Sequence, residues 1–285
     1  MPQILDGNAA AEALLERAKT ELAALPIKPH LHVIRIGDDP ASVSYTRLKA
    51  RRAKKIGLHS TLTELPAETS EAALLELIQH LNADAGTHGI LVQLPFPANS
   101  SIRESVILGA IHPNKDVDGL HVVNTGRLWA GQIGLRSCTP AGIISMLDFY
   151  HIPLEGQHVV IINRSQLVGK PLAALCLERN ATVTIAHSRT QDLAGLAKQA
   201  DILVTAVGRV GFITADFVKA GAVVIDVSIN RVVLDGAEKL VGDCVAEVFA
   251  VAGAITPVPG GVGPMTVSHL LYNTVLAAKL QLDLS

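Results

Sequence analysis

The sequence predicts an α/β protein of two domains, the second of them a doubly wound parallel sheet. Three observations carry this. The chain has 285 residues, and a prior of about 150 per domain gives roughly 1.9 domains. Beyond Thr139-Pro140, apolar strand-like runs over 158–162, 182–186, 201–207 and 222–227 alternate with helix-length segments. Successive βα units require parallel strands with right-handed crossovers and helices on both faces, a Rossmann-type arrangement. Finally, 49% hydrophobic residues against 18% charged describes an ordered core of small aliphatics.

Taken in order, apolar residues recur at helical spacing over 8–24, and Pro26 and Pro29 stop the helix. The run 31–36 reads as a strand ending at Gly37. Gly37-Asp38-Asp39-Pro40 is a turn, and 41–56 forms a helix rich in Arg47, Lys49, Arg51, Arg52, Lys54 and Lys55. A helix over 70–82 leads into the buried-type strand 89–94, which meets Pro95 and Pro97. Residues 112–119 carry turn formers and two carboxylates, and read as a loop or domain boundary. The Pro/Gly loop 257–264 precedes one amphipathic helix over 265–282.

Several classes of function lose ground at once. Lys plus Arg is 24 and Asp plus Glu is 26, a net charge of −2, so no global field favours nucleic acid or an anionic membrane. Aromatics at 3% leave this chain too few rings for a base-stacking platform. Cys138, Cys176 and Cys244 form no C-x-x-C pair, and the eleven histidines include no H-E-x-x-H, so no metal site is expected. The first residues lack a signal-peptide pattern and no run of 18 apolar residues follows, which reads as a soluble cytoplasmic protein.

Candidate chemistry lies at a few positions. The first βα turn of the regular domain runs Asn163-Arg164-Ser165 to Val168-Gly169-Lys170-Pro171. A helix N-terminus there suits a phosphate, but only Gly169 remains of a G-x-G-x-x-G fingerprint, and an ordinary turn fits as well. The second strand ends in Ala186-His187-Ser188-Arg189, where an NAD enzyme places an acid; hydroxyl and guanidinium groups suit a 2′-phosphate, or a polar strand end without ligand. Tyr45 and Lys49 share one helix face. They form a proton-transfer pair if the lysine is desolvated and repelled by neighbouring cations, and a solvated face otherwise. Gln93 in its apolar strand needs a partner, structural or substrate, and Asp118 is either a turn former or a ring-binding carboxylate.

Together these segments resemble the bifunctional methylenetetrahydrofolate dehydrogenase/methenyltetrahydrofolate cyclohydrolase family over essentially the whole chain. Leu5-Asp6-Gly7 resembles its opening motif, and Gly37-Asp38-Asp39-Pro40-Ala41-Ser42 with Tyr45 and Lys49 its catalytic helix. Gly89-Ile90-Leu91-Val92-Gln93-Leu94-Pro95 and Lys115-Asp116-Val117-Asp118-Gly119 are similar to its substrate segments, and Cys138-Thr139-Pro140 opens its cofactor domain. Arg164-Ser165, His187-Ser188 and Ile229-Asn230-Arg231 resemble its NADP contacts. Pro259-Gly260-Gly261-Val262-Gly263-Pro264-Met265-Thr266 is the most distinctive string.

The resemblance implies NADP-dependent oxidation of 5,10-methylenetetrahydrofolate and hydrolysis of the methenyl product to 10-formyltetrahydrofolate, in one cleft between domains. It implies a folate-binding catalytic domain at 1–138, completed by 266–285 through the C-terminal helix packing back, and an NADP-binding Rossmann-type domain at 139–265. By the same analogy Lys49 moves protons, Tyr45 positions substrate and lysine, Gln93 tunes Lys49, and Asp118 anchors the pterin. Val92, Leu94, Pro259, Gly260, Gly261, Val262 and Gly263 line the substrate, and Asn163, Arg164, Ser165, His187, Ser188, Arg189 and Ile229 meet NADP. Partners are tetrahydrofolate derivatives, including polyglutamylated forms drawn to the basic helix, and a second copy in a homodimer.

The chain departs from the pattern at Asn163 and Ser228, both glycine in the family, and at Ser137, Ala141 and Cys244-Val245. Asn163 is expected to replace glycine by tolerating a left-handed backbone, and Ser228 to narrow the nicotinamide side. If the two spoil cofactor binding, the chain is a folate-binding module instead; a third reading is an NADP oxidoreductase acting on another substrate.

Overall fold

The computed structural model describes residues 1–234 and 237–284. The chain divides into two compact units, Met1–Ala13 with Thr139–Thr266, and Leu14–Cys138 with Val267–Ser285.

The second unit is built on a three-stranded parallel sheet in which His30–Ile36 lies between His59–Leu65 and Gly89–Val92. Register pairs Ile34 with both Thr63 and Val92. Strand periodicity sends Leu31, Val33 and Leu91 to one face, where they pack with Leu15, Ala53, Leu271 and Ala277. Ile34, Ile36, Ile90 and Val92 face the other way, onto Leu74, Ile78, Ile107 and Ile111. Both faces are therefore covered, as a parallel sheet requires.

The helix Pro40–Ile56 starts where it does because the Asp39 carboxylate accepts the Ser42 N–H at 2.8 Å and Pro40 occupies the first turn. It stops at Gly57, whose φ of 82° admits a left-handed cap. The helix Glu71–Ala83 is capped by Ser70 in the same way. At its far end Lys115 donates to three carbonyls of the last turn and its exit, Leu81 at 3.0 Å, Asn82 at 2.9 Å and Asp84 at 2.7 Å. That bond set ties the 115–119 loop to the scaffold.

The first unit holds a six-stranded, all-parallel sheet. Its order is Gln3–Ile4, Ala254–Ile255, Val223–Asp226, Ile202–Thr205, His158–Ile162 and Thr182–Ala186. The four strands expected beyond residue 139 are all present, with Val160, Ile162, Leu203 and Val224 in one buried cluster. Two more strands, each of two residues, extend the sheet. Because Gln3 and Ile4 pair with Ala254 and Ile255, residues 1–13 group with this unit and not with the first domain expected at 1–138. An antiparallel pair, Asn230–Leu234 with Ala237–Val241, stands apart from the main sheet.

The C-terminal helix runs Val262–Gln281 and packs against the second unit as expected. Tyr272 accepts from Arg17 at 2.6 Å, and Asn273 donates to Val117 O and Arg136 O, both at 2.8 Å.

Candidate active site

Within the second unit, the helix Pro40–Ile56 and the end of strand Gly89–Val92 bring two of the expected residues into direct contact. Lys49 Nζ donates to Gln93 Oε1 at 2.8 Å. Gln93 cannot turn its amide around without loss, because Nε2 donates to Leu94 O at 2.6 Å and its backbone N–H to Ile34 O at 2.8 Å. The lysine therefore faces a fixed acceptor.

Burial pushes the Lys49 ammonium below the usual lysine range, while the Asp118 carboxylate and Cys138 pull it back up. Neighbouring cations are not the cause expected from sequence. Arg47 and Arg51 stand two residues from Lys49, roughly 200° round the helix, and are exposed on the opposite face. Arg52 donates to Ser268 at 3.0 Å. Tyr45 lies on the Lys49 side and is 41% exposed, so its ring presents a surface to a ligand. Val92 is buried in the sheet core, which leaves only its backbone for substrate, whereas Leu94 is half-buried at the strand end.

Asp118 is held by the turn around it. Gly119 has φ of 71°, and a Cβ there would lie 2.3 Å from Arg136 C. Asp118 O accepts the Cys138 N–H at 3.3 Å, and Cys138 Sγ donates to Val117 O at 3.2 Å. Burial, then Asp118, raises the Cys138 thiol well above its ordinary range, so it is an inert packing group.

In the first unit the expected cofactor residues all lie at the carboxyl ends of parallel strands, where nucleotides bind such sheets. Asn163, Arg164 and Ser165 follow His158–Ile162; His187, Ser188 and Arg189 follow Thr182–Ala186; Ile229 follows Val223–Asp226. Arg164, Ser188 and Arg189 are exposed, and no acid ends the second strand, a donor set that fits a phosphorylated ribose. Asn163 does not act through a left-handed backbone; its φ is not positive. Its carboxamide works instead: Oδ1 accepts from Ser165 N at 2.8 Å, Ser165 Oγ at 2.7 Å and Gly169 N at 3.0 Å, and Nδ2 donates to Ala206 O at 2.7 Å. Ser228 likewise does not project outward, because its hydroxyl is bonded to Asp243 and Gly208.

The loop 257–263 is also in this unit, with Val258-Pro259 cis and Gly260 at φ of 102°. The opening motif explains itself here. Gly7 N–H donates to Gly260 O at 2.8 Å, and a Cβ on Gly7 would stand 1.7 Å from Gly261 O, so only glycine permits the contact. Gly261 in turn has no room for a Cβ beside Pro257 O. Among the described residues no helix is long and apolar enough to cross a membrane, and no group of three His, Cys, Asp or Glu is placed to hold a metal.

A doubly wound sheet of the nucleotide-binding type and an α/β unit carrying the Lys49–Gln93 contact fit the class of nucleotide-dependent enzymes. The chain belongs to the tetrahydrofolate dehydrogenase/cyclohydrolase family. That family's catalytic domain matches residues 5–118 and its NAD(P)-binding domain residues 137–282. A relative from Thermus thermophilus named "Bifunctional protein FolD" is 51% identical over 279 residues, 98% of this chain and 97% of its own. The crystal structure of the bifunctional FolD methylenetetrahydrofolate dehydrogenase/cyclohydrolase from Campylobacter jejuni superposes with a TM-score of 0.93 at 42% identity, covering 99% of this chain and all of its own. The Trypanosoma brucei enzyme, solved with NADP cofactor and inhibitor, gives 0.91 at 36% identity over 99% of each chain.

Proposed function

We infer that this protein oxidises 5,10-methylenetetrahydrofolate to the 5,10-methenyl cation with NADP and then hydrolyses the cation to 10-formyltetrahydrofolate. The observation that carries the reading is the Lys49–Gln93 contact in a site whose lysine pKa is lowered by burial, within a chain of this family.

NADP, when bound, accepts the hydride lost from the one-carbon bridge. That loss leaves a cation stabilised by two nitrogens, so the first step needs alignment and no strong base. Asp118 holds the pterin, the Tyr45 ring flanks the substrate, and the glycine-lined loop 257–263 admits close backbone approach. In the second step water adds to the methenyl carbon and loses one proton; the resulting hydroxyl then gives up its remaining proton as the C=O forms, and the bond from N5 to that carbon breaks as N5 takes up a proton, so one proton is released overall. Lys49 moves these protons, because desolvation favours its neutral form more than in an exposed lysine. Gln93 presents a fixed oxygen to whichever N–H the lysine carries. Arg164, Ser188 and Arg189 hold the cofactor's phosphates, and the absence of an acid at that strand end favours NADP over NAD.

The 10-formyl product is a donor for purine biosynthesis, and we place the protein there, in the cytoplasm, as a homodimer; its family resemblance supports these three points. Exposed Arg47 and Arg51 support attraction of a polyglutamate tail from the helix face opposite Lys49. Sedimentation of the purified chain tests the dimer. Comparing KM for mono- and pentaglutamate substrates in wild type and Arg47→Ala/Arg51→Ala tests the tail; equal ratios remove that role.

A further inference from the structure

The Asp243 carboxylate, fully buried, gathers donors from two separate stretches of the first unit, 205–209 and Ser228. Its Oδ2 accepts from Thr205 Oγ1 at 2.8 Å, Val207 N at 2.7 Å and Ser228 Oγ at 2.8 Å, and its Oδ1 from Arg209 N at 2.8 Å. Between the two backbone donors, Gly208 N–H goes to Ser228 Oγ at 3.0 Å. Three consecutive N–H groups thus converge on one carboxylate and the hydroxyl bonded to it, a nest whose anion is supplied internally. From the other side Asn163 Nδ2 takes Ala206 O.

The place of this network gives it a consequence. Strand order reverses between His158–Ile162 and Ile202–Thr205, the switch point at which a dinucleotide crosses a doubly wound sheet. Residues 206–209 follow one of those strands, and Ser228-Ile229 follow the next. The 2′-phosphate contacts, Ser188 and Arg189, lie beyond the opposite strand, so the second half of the dinucleotide must run over 206–209 and 228–229. Gly208 is exposed at φ of 71° and Ile229 is 41% exposed, so this wall faces outward while its far side is bonded to Asp243.

Resting on the NADP reading above, we propose that Asp243, acting through Ser228, is the positioning residue for the nicotinamide half of the cofactor site. It touches neither cofactor nor substrate; it fixes the backbone that does. Asn cannot replace it, because an amide group in place of one oxygen turns N–H donors toward Val207 or Arg209 N–H. Ser228 makes the link by accepting from Gly208 and donating to Asp243, a use of the hydroxyl that glycine cannot supply.

The test compares two probes on the full-length protein. Asp243→Asn is expected to weaken NADPH binding about tenfold or more, the scale of a charge-assisted bond set lost. Its affinity for 2′,5′-ADP, which carries only the adenosine half, stays within twofold. Ser228→Ala, which leaves Gly208 N–H unpartnered but keeps the carboxylate, gives a smaller loss in the same direction and serves if Asp243→Asn does not fold. Equal loss for both probes makes Asp243 a general structural group and overturns the proposal; so does unchanged NADPH binding in both variants. Wild-type protein that binds neither probe defeats the NADP reading itself, a separate result.

Discussion

Lys49 donates to Gln93 Oε1 at 2.8 Å while Gln93 spends its own amide N–H on Leu94 O at 2.6 Å, so the acceptor that the lysine meets is locked in orientation. Lys49→Ala is then expected to lower hydrolysis of the methenyl substrate by a factor of about 100 or more, a typical general-base contribution. NADPH binding, measured by fluorescence titration, stays within twofold. Equal losses in both would make the lysine a structural group.

The same contact sets a pH dependence. Burial holds Lys49 below its usual range, and hydrolysis that needs the neutral amine rises as pH rises through that pKa. Gln93→Glu puts a carboxylate against the ammonium and raises the pKa, so the rising limb of the pH–rate profile moves to higher pH. A profile that keeps its position in Gln93→Glu contradicts the assignment.

Stability has its own acid limit. His269 is fully enclosed, and desolvation, with a smaller contribution from Arg17, lowers its pKa to about 4. The unfolded chain, with an ordinary pKa near 6.5, binds the proton first. Its contribution is therefore present above about pH 6.5 and lost as pH falls toward 4, an effect of about 3 kcal/mol. Burial lowers His30, His32 and His88 in the same direction. Thermal midpoints across this window should fall with pH, and His269→Leu should flatten the slope.

Gly119→Ala should cost about 2 kcal/mol or more, since φ of 71° is strained for alanine and the added carbon meets Arg136 backbone. Denaturant unfolding measures this, and KM for folate should rise with it because Asp118 is the preceding residue.

Arg189→Ala should raise KM for NADP about tenfold and leave KM for NAD nearly unchanged, because the guanidinium is assigned to the 2′-phosphate. Parallel change in both would remove that role.

Sequence reading located the parts of the molecule where pattern and chemistry coincide. The four strands from His158 to Asp226, three of them buried, are short apolar runs between helices, and the Tyr45/Lys49 pair follows from helical spacing alone. The strand His59–Leu65 escaped because it is an edge strand whose Ser60, Thr61, Thr63 and Glu64 show no apolar alternation; it is held by pairing with His30–Ile36. Gln3–Ile4 and Ala254–Ile255 are too short for any period to register. The pair Asn230–Leu234 and Ala237–Val241 carries only half a signal, because Val232 and Val233 suit a strand while Ala237, Glu238 and Lys239 do not. Side-chain hubs were beyond reach: nothing in spacing joins Asp243 to Thr205, Ser228 and Arg209, or Lys115 to the end of a helix thirty residues earlier. Family resemblance marked Asn163 and Ser228 as departures, but only hydrogen-bond geometry shows that each has taken up a bonding task.

The most direct measurement is one time course on the purified protein with 5,10-methylenetetrahydrofolate and NADP, following NADPH, the methenyl cation and 10-formyltetrahydrofolate together. NADPH and 10-formyl product should rise in step with little methenyl accumulating. Methenyl accumulating without 10-formyl product beyond the uncatalysed rate would contradict the role given to Lys49, and no NADPH at all would contradict the dehydrogenase.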